Sequence, residues 1–257
     1  MNTRRLWIAL ATLLHREVGR FLRIWMQTLL PPVITMGIYF VVFGSLLGPR
    51  IQRIDGFSYI EFIVPGLVMM SVITNSFSNV ASSFFNARFQ RSVEELQVAP
   101  VPDWIMVAGY VGGGMLRGIL VGFLVLLVSL AFHPVRFHSL AIVVAFLVLT
   151  SLVFALAGFS NALIARRFDD ISIVPTFILT PLTYFGGVFY SISLLPPIWR
   201  GLSRLNPILY MVNGFRFGFL GASDIPTWIG LVTLMGLAGA LVTLNLVLLA
   251  RGVGLRT

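Results

Sequence analysis

Long apolar runs separated by short charged patches dominate the chain. About 20 apolar residues cross a hydrocarbon core as a helix. Six segments qualify: 24–47, 59–85, 104–132, 140–165, 173–190 and 227–250. Several carry breaks, at Pro31-Pro32, at Pro65-Gly66, and at Pro175 and Pro181. A proline removes a backbone donor, so neighbours must satisfy the freed carbonyl. The third segment carries Gly109 and Gly113 and, one residue on, Gly114, Gly118 and Gly122, a spacing that admits a second helix at close range. Before the first segment, Arg5, Ala9, Thr12, Arg16, Arg20 and Arg23 form one helical stripe, and Trp7, Ala11, Leu14, Val18, Phe21 and Leu22 another. That pattern predicts an amphipathic helix over 1–23 lying on the membrane surface, arginines toward headgroups. Between the fifth and sixth segments the chain is apolar but broken by Pro196-Pro197, Asn206-Pro207 and glycines. Segments this short tend to be re-entrant, so 191–226 is read as two half-helices dipping into the outer leaflet. The expected fold is all-α and integral to the membrane: one domain over 1–257, with six spans, an interfacial N-terminal helix and a re-entrant outer region.

Composition settles the solvent. Hydrophobic residues make up 58% and charged residues 11%, and mean hydropathy is +0.95. Soluble domains carry about a quarter charged residues. Cysteine is absent, which excludes disulfides and thiolate metal sites. All 18 basic residues are arginine. Without lysine there is no Walker A phosphate loop and no Schiff-base chemistry. The net charge of +9 fits anionic lipid headgroups and topology control, not nucleic acid. With the N-terminus placed in the cytoplasm, eleven arginines fall in inside segments and six in outside segments, with Arg117 within the third span. Arginine excess marks the cytoplasmic side, so both termini are expected there.

Three patches carry candidate chemistry. Residues 86–102 hold Arg91 and the sequence Ser92-Val93-Glu94-Glu95, a capping-box pattern, with Val93, Leu96 and Val98 as an apolar surface and Pro100 and Pro102 as stops. This is either a solvated connector or a docking knob. The next inside loop carries Arg166, Arg167, Asp169 and Asp170, read as a salt-bridged cap or a second partner contact. It has no third ligand for a metal. Arg117 is a deep charge that faces a cavity or partner, with Glu61 the candidate, or else packs structurally. Tyr110–Gly118 is glycine-rich but lies in a span with no strand before it, so helix packing explains it better than nucleotide binding. His133 and His138 read as interfacial surface residues. No catalytic elbow, zinc helix or carboxylate cluster is present, so the chain is expected to be no enzyme.

With these features in hand, the chain resembles the ABC-2-type exporter permeases over essentially its whole length. The likeness is carried by Leu179 to Arg216, above all Pro207, Ile208, Tyr210 and Arg216, and by "EELQVAPVP" from Glu94 to Pro102. Phe185 departs from the smaller aliphatic residue of the pattern. The resemblance implies that Arg91, Ser92, Val93, Glu94, Glu95, Leu96 and Val98 form a coupling helix seated on a separate ATP-binding subunit. It implies that Arg5, Arg16 and Arg20 lie on a connecting helix. It also implies an outer gate containing Pro196, Pro197, Asn206, Pro207, Tyr210 and Arg216. The implied assembly is a homodimer of permeases, in the family's pattern, with two ATPases that hold ATP and Mg. The setting is a bacterial inner membrane, and this chain binds no cofactor. Many phenylalanines and thin charge point to an amphipathic or lipid-linked cargo, and the resemblance implies a glycan-linked substrate or a drug as well. The alternative is a stand-alone secondary transporter or channel, which needs intramembrane ionisable residues and usually internal repeats.

Overall fold

A computed structural model describes residues 3–51, 53–54, 56–94 and 101–254. Among them there are helices and no named strand. Helix α1 is Thr3–Arg23. Helix α2, Trp25–Arg50, joins α-helical Trp25–Thr28 and Leu30–Tyr39 to π-helical Phe40–Leu47 and a 3₁₀ turn, Gly48–Arg50. Helices α3, α4 and α5 are Tyr59–Phe89, Asp103–Ser129 and Leu140–Ile164. Helix α6 (170–184) runs through Asp170–Ile173, π-helical Val174–Leu179 and Thr180–Tyr184. Helices α7, α8 and α9 are Pro197–Arg204, Pro207–Leu220 and Thr227–Ala250.

The prolines explain the segmentation. Pro31-Pro32, Pro175 and Pro181 each sit in the first turn of a new helical piece, where no intrahelical donor is required. The π-helical stretches widen the turn where the regular ladder is interrupted. Pro65 alone lies inside a regular helix, α3.

Helix α3 is the hub. Its most apolar window is 78% buried, against 17% for α2 and for α9, so those two present most of their surface outward. It packs against α4 and α5, and it can do so closely because α4 is small where they cross. A Cβ on Gly114 or Gly122 would lie 2.2 or 2.6 Å from Val80 or Val72 of α3. The other glycine row of α4 receives α1: at Gly109 and Gly113 a Cβ would meet Leu13 and Glu17 at 2.7 and 2.5 Å. The two rows expected from the sequence thus serve two different partners.

Five helices, α2, α3, α4, α5 and α9, are long and apolar enough to cross a membrane. The expected fifth span, 173–190, is a shorter helix that ends at Tyr184. It stops because Gly187 turns left-handed at φ 73° and its carbonyl accepts from Arg216 at 2.7 Å. The broken region yields two helices, as expected, but of opposite character. Helix α7 exposes Ile198, Trp199 and Leu202, whereas α8 is buried along most of its length. At 14 residues α8 reaches about 21 Å, too short to cross.

Candidate functional site

The polar groups of the bundle converge where α1 crosses α3 and α4. Helix α3 carries Ser71, Asn75, Asn79 and Ser83 at steps of four, one buried polar stripe along the hub. Glu17 of α1 is 2% exposed and accepts a hydrogen bond from Ser83 Oγ at 2.5 Å. Arg20 reaches the same carboxylate at 3.3 Å and donates to Asn79 Oδ1 at 2.9 Å. Arg117 of α4 donates to that oxygen at 3.3 Å, to Asn75 Oδ1 at 3.3 Å and to the carbonyl of Thr28 at 3.0 Å. Arg16 donates to Tyr110 Oη at 2.6 Å and stands 3.8 Å from Glu17. Two guanidiniums, those of Arg16 and Arg20, therefore stand at one carboxylate, and Asn79 links Arg20 to a third, Arg117. Such a network ties α1 to the centre of the bundle.

This corrects two expectations. Arg117 does not pair with Glu61. Glu61 is in the first turn of α3, about 20 Å along the helix from Asn75, the residue of α3 that Arg117 of α4 reaches. Glu61 instead accepts from the backbone N–H and the hydroxyl of Ser58, each at 2.7 Å, and stands 3.4 Å from His133. Nor do all the α1 arginines face headgroups: Arg16 and Arg20 turn to protein acceptors, while Arg5 remains exposed. Glu17 escaped the sequence reading because two stripes were traced on either side of it. The signal was one carboxylate in an arginine-rich helix, together with the four-residue polar step in an apolar span.

At the end of α3, Arg91 adopts a left-handed φ of 60°, a position that usually favours glycine. Ser92 Oγ donates back to the Ala87 carbonyl at 3.1 Å, and Val93 is buried. The chain turns helical again over 92–94. Glu95, Leu96 and Val98, the remainder of the expected coupling helix, lie outside the described residues. Nearby, Arg88 donates to the carbonyls of Ala162, Leu163 and Ala165, closing the C-terminal end of α5.

The second loop is capped through its backbone. Asp170 Oδ2 accepts from the N–H groups of Arg166 and Arg167, both at 2.9 Å, while the side chains of Arg166, Arg167 and Asp169 are exposed. No ion pair joins these side chains among the described residues. The Arg167 amide, then that of Arg166, holds the Asp170 carboxyl below the usual carboxylate range. A group with a depressed folded value stabilises above its unfolded value, about 4, and the contribution is lost as pH falls through the depressed one. Protection of the Arg166 and Arg167 amides, taken relative to their intrinsic exchange rates at each pH, is expected to hold from neutral pH to about 4 and to fall below it. Asp170→Asn is expected to flatten that dependence, and an unchanged profile would remove the carboxylate from the cap.

At the opposite end, the expected gate residues are brought together. Asn206 caps α8 by accepting from the Ile208 N–H at 3.0 Å and donates to the Leu182 carbonyl at 2.6 Å. Pro207 follows in the first turn. Tyr210 Oη donates to the Arg204 carbonyl at 2.7 Å, joining α8 to α7. Arg216 is 2% exposed, lies 3.8 Å over the Phe62 ring and donates to the carbonyls of Phe62 and Gly187. It fastens α8 to α3 one turn before Pro65. Pro196 and Pro197 open α7. His138 packs edge-on against Phe217, and no group of His and carboxylates suited to a metal occurs among the described residues.

The pattern of the ABC-2 type transporters matches residues 8–220, from the first turns of α1 to the end of α8. The chain belongs to that family. It is similar to "Inner membrane transport permease YadH" of Escherichia coli (strain K12), 58% identical over 253 residues, with 98% of each chain covered. It is also similar to "Nodulation protein J" of Rhizobium meliloti (strain 1021), 26% identical over 186 residues that cover 72% of this chain and 71% of that one.

Proposed function

We propose that this chain is the membrane permease subunit of an ATP-binding-cassette exporter in a bacterial inner membrane, powered by a separate ATPase. The observation that carries the reading is family membership over residues 8–220 in a sequence without lysine, which leaves no phosphate loop to hold ATP. ATP and Mg then belong to the partner, and the working assembly is two permeases with two ATPases. Both termini face the cytoplasm, α6 with the turn after it serves as the sixth crossing, and α7 and α8 form the outer re-entrant gate. The arginine distribution supports this orientation. The cargo is amphipathic, lipid-linked or glycan-linked, or a drug.

The testing experiment is a mild-detergent pull-down from the native host with mass spectrometry of what stays bound. A stoichiometric soluble protein carrying a Walker A sequence is expected. A clean preparation without one, after crosslinking in intact cells, overturns the reading. The buried Glu17–Arg20–Arg117 network favours one second reading, a stand-alone secondary transporter, since ion coupling uses such groups. Proton-dependent transport by the purified chain alone would establish it.

Coupling gives a sharper expectation. Leu96→Asp, or deletion of residues 92–98, is expected to abolish transport and stimulation of the ATPase while leaving the permease folded in the membrane. Normal transport by either variant would dismiss the docking role.

A further inference from the structure

A groove of about 630 Å³ opens between α1 and the end of α3, a size suited to a small-molecule ligand. Its rim is cationic through Arg16, Arg20 and Arg23 of α1, and His15, Asn86 and Gln90 also line it. Among the described residues one carboxylate lines it, Glu17, whose Oε2 is already engaged by Ser83 and Arg20. The end of α3 would ordinarily repel an anion through its free carbonyls. Here Asn86, Ala87 and Arg88 carbonyls accept from Gln90 N–H, Ser92 Oγ and Arg91 N–H. The groove therefore offers donors and an excess of positive charge, and the last carbonyls of α3 beside it are engaged.

Apolar surface continues from its edge. Ile24 lines the groove and is exposed, and Leu22, Trp25 and Met26 beside it are exposed as well. A free phosphate has no use for that surface, whereas an amphiphile has. We infer that this groove is a discrete binding site for the phosphate headgroup of an anionic phospholipid of the inner leaflet, with exposed Arg23 and the donors of Arg16 beyond its Tyr110 bond on the phosphate, and an acyl chain along Ile24, Trp25 and Met26. Arginine suits phosphate because its planar donor fork meets two oxygens at once. The site stands on membrane embedding and on the α1–α3 geometry. It does not depend on pairing with an ATPase.

The test uses the purified full chain in detergent, titrated with phosphatidylglycerol and read by native mass spectrometry. Phosphatidylcholine, glycerol phosphate and inorganic phosphate serve as the other arms. Phosphatidylglycerol is expected to stay bound at one per chain where phosphatidylcholine does not, and millimolar glycerol phosphate or inorganic phosphate is expected not to displace it. Arg16→Gln/Arg23→Gln is expected to weaken retention by about twenty-fold, from two arginines near one phosphate. Arg4→Gln/Arg251→Gln removes the same charge outside the groove and is expected to retain the lipid. Arg23→Gln alone, at an exposed position, carries the comparison if the double variant does not fold. Equal retention of the two lipids, equal loss in both double variants, or displacement of the lipid by inorganic phosphate would each overturn the site.

Discussion

Gly158→Val is expected to yield almost no folded permease. Helix α5 meets α3 there at backbone range: a Cβ on Gly158 would sit 2.4 Å from the Phe77 carbonyl oxygen and 3.2 Å from its Cα. A flexible side chain can swing aside, but a helix backbone moves only with its helix. Phe77 is 1% exposed and lies in the hub, so separating α3 from α5 uncovers the largest contact in the bundle. Overpacking in a close-packed interior typically costs about 1–3 kcal/mol and sometimes more, and a branched side chain against backbone belongs at the upper end. The comparison that isolates the cause is Gly236→Ala or Gly239→Ala on α9, where an added Cβ meets nothing within 4 Å. Those changes are expected to be neutral or to stabilise by up to about 1 kcal/mol, through the better helix propensity of alanine. Fluorescence-detected size exclusion after a heat ramp in detergent reads both. A monodisperse Gly158→Val permease with an unchanged melting midpoint would show that α3 and α5 do not pack as described.

The glycines illustrate how far the sequence reaches. Spacing in the third span exposed a packing surface because small residues at steps of four have few other uses in lipid. It did not say which helix would fill it, and two did: α3 on Gly114, Gly118 and Gly122, and α1 on Gly109, Gly112 and Gly113. Family membership was legible for a similar reason, since Pro207, Tyr210 and Arg216 sit at a fixed spacing in an otherwise interchangeable apolar background. Hydropathy located the long helices but overran at 173–190. It measures transfer to lipid and is blind to Gly187, whose left-handed turn ends α6 early. The pairing of charges was the least legible part. Glu61 and Arg117 looked like partners because each was isolated in sequence, yet helix rise alone sets the first turn of α3 far from Asn75 and Asn79. Amides, which carry no formal charge and so drew no notice, are the groups Arg117 uses.

Glu17→Ala is expected to loosen α1 from the bundle. The substitution removes the acceptor for Ser83 Oγ and the only carboxylate between Arg16 and Arg20. Breaking a fully buried ion pair from one side costs about 3–5 kcal/mol. Here the Arg20 and Arg16 side chains are 33% and 45% exposed, so water screens part of the loss, and about 2 kcal/mol is the appropriate scale. The penalty arises mainly from cations left crowded around Asn79, with Arg117 donating to the same oxygen as Arg20. Removing one of them should therefore restore stability. In a double-mutant cycle, Glu17→Ala/Arg20→Ala is expected to melt closer to the unaltered protein than Glu17→Ala alone does. Glu17→Gln should fall between, since an amide oxygen can still accept from Ser83 without neutralising an arginine. Thermal midpoints in detergent and the rate of proteolysis around residues 23–25 read the two consequences, global stability and release of α1. If the single and double variants lose stability additively, Glu17 and Arg20 are not coupled, and the helix is held by Leu13, Phe21 and the glycine face of α4 alone.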